Sequence, residues 1–366
     1  HLSGGIDSSA VCCLAARHLP RLQTFSARFP EGGIYDESRY ARLVAETIQS
    51  DHHEIEPSGG DIRELLPRIL YHLDHPVEGS GVFGKFHVAE MVGRHVKVVL
   101  GGQGGDELFG GYDWYVNSLA AVACFGGLPA MAGRTSAEML RRAWAGEQRP
   151  RLVRALWNNF GRRDLAMVFR RAWRRVGEGG ERPFLRAEVA AGVPTADDRF
   201  AAAFAQLPEA APAARMFHFD MRYYLEALLQ SEDRLSMAFS VESRVPLLDH
   251  RIAELAARVG VGLKTVAGPP KHLLRQAVAG MVPEAILRRT DKRGFPTPIE
   301  AWLRDPALGL VERFVTGDGR FAREVFALDR VRAWADRRWT LGSGWSEMLW
   351  RVVVVGAWGD RFGVRL

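Results

Sequence analysis

The strongest constraint on the fold is the alternation of short β-type runs with apolar helical stretches through residues 1–125. In Gln23 to Phe29, the residues Phe25, Ala27 and Phe29 alternate with polar neighbours, the period of a half-buried strand. Ser38 to Ile48 carries Tyr40, Leu43, Val44 and Ile48 on one helical stripe, and His53 to Glu56 fits a short strand. Asp61 with Glu64 makes a capping-box pattern ahead of Leu65, Leu66, Ile69 and Leu70, and Val96 to Leu100 reads as a buried strand. Such alternation predicts an α/β fold: a parallel twisted sheet flanked by helices, with ligands beyond the carboxyl ends of its strands. Residues 126–215 instead read as Arg- and Trp-bearing helical segments broken by Gly126-Gly127, Gly179-Gly180 and Pro194. The expected division is an α/β core at 1–125, a large helical insertion at 126–215, and a helical part at 216–366 that completes the site.

Composition narrows the function classes. With 47% hydrophobic and 25% charged residues the chain is of globular type. Its apolar runs, Val352 to Ala357 for instance, fall far short of the roughly 18–20 residues a membrane span needs, so membrane transport is excluded. Cys12, Cys13 and Cys124 have no metal-type spacing and cannot all pair, which points to a reducing, cytoplasmic setting. The formal charge of +6 comes from arginines spread along the chain, with Lys85, Lys97, Lys264, Lys271 and Lys292 as the lysines. That dispersal reads as a solvated surface with no nucleic-acid partner.

Two loops carry the chemistry. Leu2-Ser3-Gly4-Gly5-Ile6-Asp7-Ser8-Ser9 precedes the apolar run Ala10 to Ala16. Glycine backbone amides, serine hydroxyls and a helix N-terminus converge there on an anion, forming a pyrophosphate cradle. The string lacks the Gly-Lys-Ser/Thr ending of a Walker loop. Gly101-Gly102-Gln103-Gly104-Gly105-Asp106-Glu107-Leu108-Phe109-Gly110-Gly111-Tyr112 follows the Val96 to Leu100 run and sets two acids among six glycines. Asp7 and Asp106 form a candidate Mg²⁺ pair, because magnesium is commonly held by one or two carboxylates together with substrate phosphates. Lys292 beside Gly294-Phe295-Pro296 suits the neutralisation of charge on departing pyrophosphate, and Lys271 beside His272 is balanced between the surface and the site. Glu242 and Arg244 sit among Val241, Val245, Leu247 and Leu248 and are expected to be partly buried and paired, for structure or for substrate-carboxylate recognition. His72 and His75 have no companion ligands and read as helix-end chemistry.

The opening string resembles the Ser-Gly-Gly-x-Asp-Ser signature of ATP pyrophosphatases, the PP-loop superfamily. With the second loop, the chain is similar to the synthetase, C-terminal domain of glutamine-hydrolysing asparagine synthetases and their amide-forming relatives, β-lactam synthetases and lasso-peptide cyclases. Three strings extend the likeness: Phe25-Ser26, Asp233-Arg234-Leu235-Ser236-Met237 with Val241 to Asp249 as a helix-and-turn signature, and Lys271 to Arg275 with Lys292 to Pro298 as a lysine-bearing segment. The resemblance implies an adenine nucleotide α-hydrolase-like sheet, ATP and Mg²⁺ as cofactors, and adenylation of a carboxylate, aspartate foremost, followed by transfer to ammonia. It implies ATP and pyrophosphate binding by Leu2, Ser3, Gly4, Gly5, Asp7, Ser8, Ser9, Ser26, Gly101 and Gly102, with Ser26 where the family's adenine-contacting strand ends. Lys292, Asp7, Asp106 and Gln103 would be catalytic; Tyr112, Asp233, Glu242, Arg244 and Lys271 would bind substrate.

One departure stands out. Asparagine synthetases usually carry a glutamate where this chain has Gln103, which cannot ionise and so cannot act as a base. Small-molecule substrates are the expected partners, an N-terminal glutaminase domain is expected to be absent from the chain, and homodimer formation is left open. Another amide ligase of the β-lactam synthetase or lasso-cyclase type, a tRNA-modifying ATP pyrophosphatase and a non-catalytic nucleotide-binding subunit stand as alternatives.

Overall fold

The computed structural model describes residues 1–76, 79–124, 165–173, 184–208, 210–265, 268–289, 294, 297–317, 319–336 and 344–366. These residues are mostly helical and contain small parallel sheets. β1 (Gln23–Ala27) pairs parallel with β2 (Asp51–Ile55), Gln23 opposite Asp51 and Ala27 opposite Ile55. β3 (Val98–Leu100) pairs parallel with β4 (Glu242–Arg244). Residues 1–2 run between the two ladders: Leu2 N–H donates to the Phe25 carbonyl at 2.9 Å, and the His1 nitrogen donates to the Leu100 carbonyl at 2.8 Å.

Helices α1 (Ile6–Ala16), α2 (Ser38–Ile48), α3 (Ile62–Leu73) and α4 (Gly81–Gly93) surround these strands in sequence. α2 spans the expected residues, but its buried face is centred on Ala41, Val44 and Ala45, with Tyr40, Leu43 and Ile48 half-buried beside it, and it ends where Gln49 turns left-handed at φ 52°. α4 is buried on two sides. Val88, Met91 and Val92 pack on Phe25, Val99 and Val241, while Val82, Phe83 and Phe86 join a core with α3 and the C-terminal helix Gly344–Phe362. Beyond β3 come the short α5 (Gly105–Phe109) and α6 (Asp113–Cys124). The expected insertion at 126–215 falls partly outside the described residues; its described residues include the helices Leu165–Trp173, Ala187–Gly192 and Ala196–Ala205 and the start of Pro212–Phe219.

Three local expectations are corrected. Asp61 makes no capping hydrogen bond, because the 3₁₀ turn Gly59–Asp61 runs directly into α3 and leaves Asp61 in helical backbone, at φ −85° and ψ −9°. Ser58 caps that turn instead, accepting from Gly60 N–H. The third strand is shorter than Val96 to Leu100 and is not buried throughout: Val99 is buried but Val98 is 40% exposed. The segment read as helix and turn, Asp233 to Met237 with Val241 to Asp249, has the helix and the 3₁₀ turn Pro246–Leu248 but also a strand between them, β4.

Leu66 is 1% exposed inside the α3 core, so Leu66→Ala should cost about 2–5 kcal/mol in urea unfolding. Leu255→Ala, at a side chain 66% exposed, should stay within about 0.5 kcal/mol of the parent chain.

Candidate active site

The opening loop bends at Gly4, whose φ of +67° and close approach to α2 both call for glycine. A side chain there would collide with Tyr40 and come within 2.8 Å of Ala41 N. Gly5 then caps α1 in extended backbone, and the first-turn amides of that helix have no intrahelical acceptor. Around them Ser8 Oγ donates to the Gly5 carbonyl at 3.2 Å and lies 3.1 Å from Ser3 Oγ. Leu2 and Ser9 are buried behind this turn, so the loop is supported from within.

The second loop leaves β3 with Gly101 N–H on the Arg244 carbonyl at 2.7 Å, which fixes it to β4. It then lies directly on the first loop. A Cβ on Gly102 would sit 2.7 Å from Ser8 N, and one on Gly105 would overlap the Asp7 carboxylate. Asp7 in the first turn of α1 and Asp106 in the first turn of α5 thus come from separate loops to one place.

Lys271 joins them. It stands in left-handed backbone at φ 61° at the head of helix His272–Ala277 and is 6% exposed. Its Nζ pairs with Asp7 and lies 2.7 Å from Asp106 Oδ1. Burial alone would lower the Lys271 pKa, but Asp106 and Asp7 outweigh it and hold the ammonium well above its ordinary value. The lysine balanced between surface and site is therefore buried with the two loop acids, while Lys292 lies outside the described residues. Two carboxylates that already share one cation also fit Mg²⁺ completed by phosphate oxygens and water. Among the described residues no group of three or more His, Cys, Asp and Glu is arranged to hold a metal without such help.

Glu107 has a place here that sequence reading did not assign. It is 2% exposed, and burial, then the Asp106 charge, pushes its carboxyl up to about 7. Tyr112 donates its hydroxyl to Glu107 Oε1 at 2.5 Å and stacks on Trp114 with ring centroids 4.0 Å apart. The acid beside Asp106 in a glycine-rich loop was the available signal. Gln103 turns its amide back over Gly101, and its Oε1 is buried without a hydrogen-bond partner among the described residues.

The other expected residues stand on β1, β4 and helix Leu225–Met237. Ser26 is buried near the carboxyl end of β1, with Oγ 3.3 Å from His52 Nε2. Asp233 is exposed on helix Leu225–Met237, bordering a shallow recess with Leu229 and Gln230. Glu242 and Arg244 are paired, as expected, through Nε–Oε1 at 2.9 Å and Nη2–Oε2 at 3.2 Å. They are not partly buried: their side chains are 57% and 58% exposed, since both point to the open face of a three-residue strand whose neighbour Val241 takes the buried position. The segment serves the site through its backbone, by receiving Gly101.

Lys264 stands behind the second loop, its carbonyl against Gly110 and its Nζ 5.0 Å from the Phe217 ring centroid. Burial lowers its pKa to about 8. The folded chain then holds fewer protons than the unfolded chain between about pH 8 and the ordinary lysine range, so stability rises with pH across that window. Lys264→Met should abolish that rise, as followed by thermal unfolding from pH 7 to 10.

A glycine loop ahead of α1 and a second one after β3, closing on carboxylates that share a cation, make a site suited to binding a phosphate-bearing ligand in a mostly helical protein with small parallel sheets. The chain belongs to the asparagine synthase family, whose model matches residues 1–360. It is 33% identical over 364 residues to a Mycobacterium tuberculosis strain H37Rv protein named "Putative asparagine synthetase (glutamine-hydrolyzing)", covering 98% of this chain and 53% of that protein. It is 30% identical over 307 residues to "Asparagine synthetase (glutamine-hydrolyzing) 1" of Bacillus subtilis strain 168, covering 83% of this chain and 47% of that protein. Amidase chry2 of Gibberella zeae matches at 25% identity, covering 86% of this chain and 51% of its own length. The chain thus spans about half the length of these relatives.

Lys271→Met leaves two carboxylates facing each other without their cation. Its melting temperature should fall in metal-free buffer and recover in part on adding millimolar MgCl₂, by more than the parent chain gains. Equal responses of the two proteins to magnesium in a thermal-shift assay would dismiss the carboxylate pair as a metal site.

Proposed function

We propose that this chain is the synthetase portion of an ATP-dependent amide ligase: it adenylates a carboxylate with release of pyrophosphate, then passes the acyl group to ammonia. The side chain of aspartate is the proposed acid, with asparagine and AMP as products. The observation that carries this reading is Lys271 clasped by Asp7 and Asp106, which joins both glycine loops at one charge cluster. Family membership supports it independently. So does the sheet, which we take to be of the adenine nucleotide α-hydrolase type, with the chain divided at about 125 and 215 as the sequence suggests.

The chemistry asks for positive charge where negative charge builds. A carboxylate attacking the α-phosphate of ATP becomes an acyl-adenylate, and the departing pyrophosphate carries the growing charge. The α1 amides, with Ser3 and Ser8, receive its oxygens, and the Lys271 ammonium neutralises them. Lys292 is proposed as a second cation of the same kind. Mg²⁺, held by Asp7 and Asp106, would add Lewis-acid stabilisation of the phosphates. Gln103 offers its buried amide oxygen to an incoming N–H and so orients ammonia without taking its proton. Glu107 keeps Tyr112 against Trp114, forming a wall for the acyl group. Ser26 is assigned to the adenine side, and Asp233, Glu242 and Arg244 to the outer substrate approach. A glutaminase domain or subunit outside these 366 residues is proposed to supply the ammonia, in the cytoplasm.

Aspartate-dependent exchange of pyrophosphate into ATP tests the first half-reaction. Asp106→Asn and Lys271→Arg should each lower it by about 100-fold or more, since an amide does not hold the metal and a planar guanidinium does not fit between two carboxylates. Gln103→Glu should leave exchange near that of the parent and change the ratio of amide formed to AMP released under saturating ammonia. Exchange with neither aspartate nor any other acid would sink the ligase reading.

A further inference from the structure

The function proposed above gives no role to Arg289, although this residue is 6% exposed and reaches the phosphate loop. Its Nη1 donates to the Gly4 carbonyl at 3.1 Å, and its Nη2 pairs with Glu37 at the start of α2. Its guanidinium also lies over the Tyr40 ring, 3.9 Å from the centroid. Tyr40 is the residue whose Cβ backs Gly4. Gly4 is therefore held between α2 on one side and the Arg289 fork on the other.

The backbone behind Arg289 is fixed in turn. Arg275 donates Nη1 to the Ile286 carbonyl at 3.3 Å, Nη2 to the Arg289 carbonyl at 3.0 Å and Nε to the Pro270 carbonyl at 2.7 Å. Arg275 stands one helical turn from Lys271, its N–H on the Lys271 carbonyl at 2.9 Å. The first loop is thus tied to helix His272–Ala277 at both ends: Asp7 directly through Lys271, and Gly4 through Arg289 and Arg275.

A trans peptide points its C=O and its N–H in opposite directions. With the Gly4 carbonyl drawn to Arg289, the Gly5 N–H faces the serines, where it reaches Ser3 Oγ at 3.4 Å. Glycine at φ +67° has little steric preference between the two orientations of the peptide that follows it. The flipped one would put a carbonyl oxygen in the cradle and repel a phosphate. We propose that Arg289 is a positioning residue for the phosphate loop: by holding the Gly4 carbonyl it fixes the Gly4–Gly5 peptide with N–H toward bound pyrophosphate. The guanidinium suits this role because one planar fork serves a carbonyl, a carboxylate and an aromatic face together.

The proposal rests on the pyrophosphate cradle proposed above, and the test separates the two. Binding of magnesium pyrophosphate and of magnesium ATP is measured by calorimetry on the parent chain and on Arg289→Met, Arg289→Lys and Glu37→Gln. Amide exchange in residues 3–8 is followed by mass spectrometry on the same proteins. Arg289→Met should weaken pyrophosphate binding by about ten-fold or more and speed exchange in residues 3–8. It should raise KM for ATP while leaving KM for the acid unchanged. Arg289→Lys keeps the charge near Glu37 but loses the fork, so it should weaken binding to an intermediate degree; it decides the matter if the Met variant does not fold. Glu37→Gln, which leaves the donor to Gly4 in place, should bind within about three-fold of the parent. Parent-like affinity, within about two-fold, in the folded Arg289 variants overturns the positioning role alone. A parent chain that binds neither magnesium pyrophosphate nor magnesium ATP overturns both this role and the cradle.

Discussion

One ammonium between two carboxylates organises the site. Asp7 and Asp106 would repel each other if brought together alone. Lys271 makes that closeness favourable. It arrives from a segment more than 160 residues beyond Asp106, so the site closes only when the later part of the chain has docked. Its left-handed backbone, unusual for a residue with a side chain, turns the lysine inward at the head of its helix.

The platform beneath is stiff for a reason visible in α4. That helix serves the strand cluster with one side and the large helical core with the other, so strands and C-terminal helices share one packed element. β1 and β3 are anchored to it through Phe25 and Val99, and the second glycine loop follows β3 directly. Arginine does much of the remaining joining. Arg275 serves several carbonyls of the 286–289 segment, and Arg289 serves Gly4, Glu37 and Tyr40, work that a single-point lysine charge could not divide in this way.

Local signals in the sequence proved sound where they depended on neighbours along the chain. The stripe of Ser38 to Ile48 became a helix over the same residues, and Gln23 to Ala27 became a strand. The Asp61 cap failed because a 3₁₀ turn upstream changed the backbone that a capping side chain requires. The burial expected for Glu242 and Arg244 failed because apolar neighbours in sequence occupy the opposite face of a strand.

By itself the sequence determined the two glycine loops and the acids in them. Those features rest on residue types that few other backbone conformations need, and they pointed to the family that the comparison then established. Tertiary structure alone decided that Lys271 belongs between the acids, that β4 completes a ladder begun at β3, and that Arg289 reaches Gly4. Each of these is a meeting of segments more than 100 residues apart, and nothing in local periodicity records which distant partner a buried charge or strand edge will find.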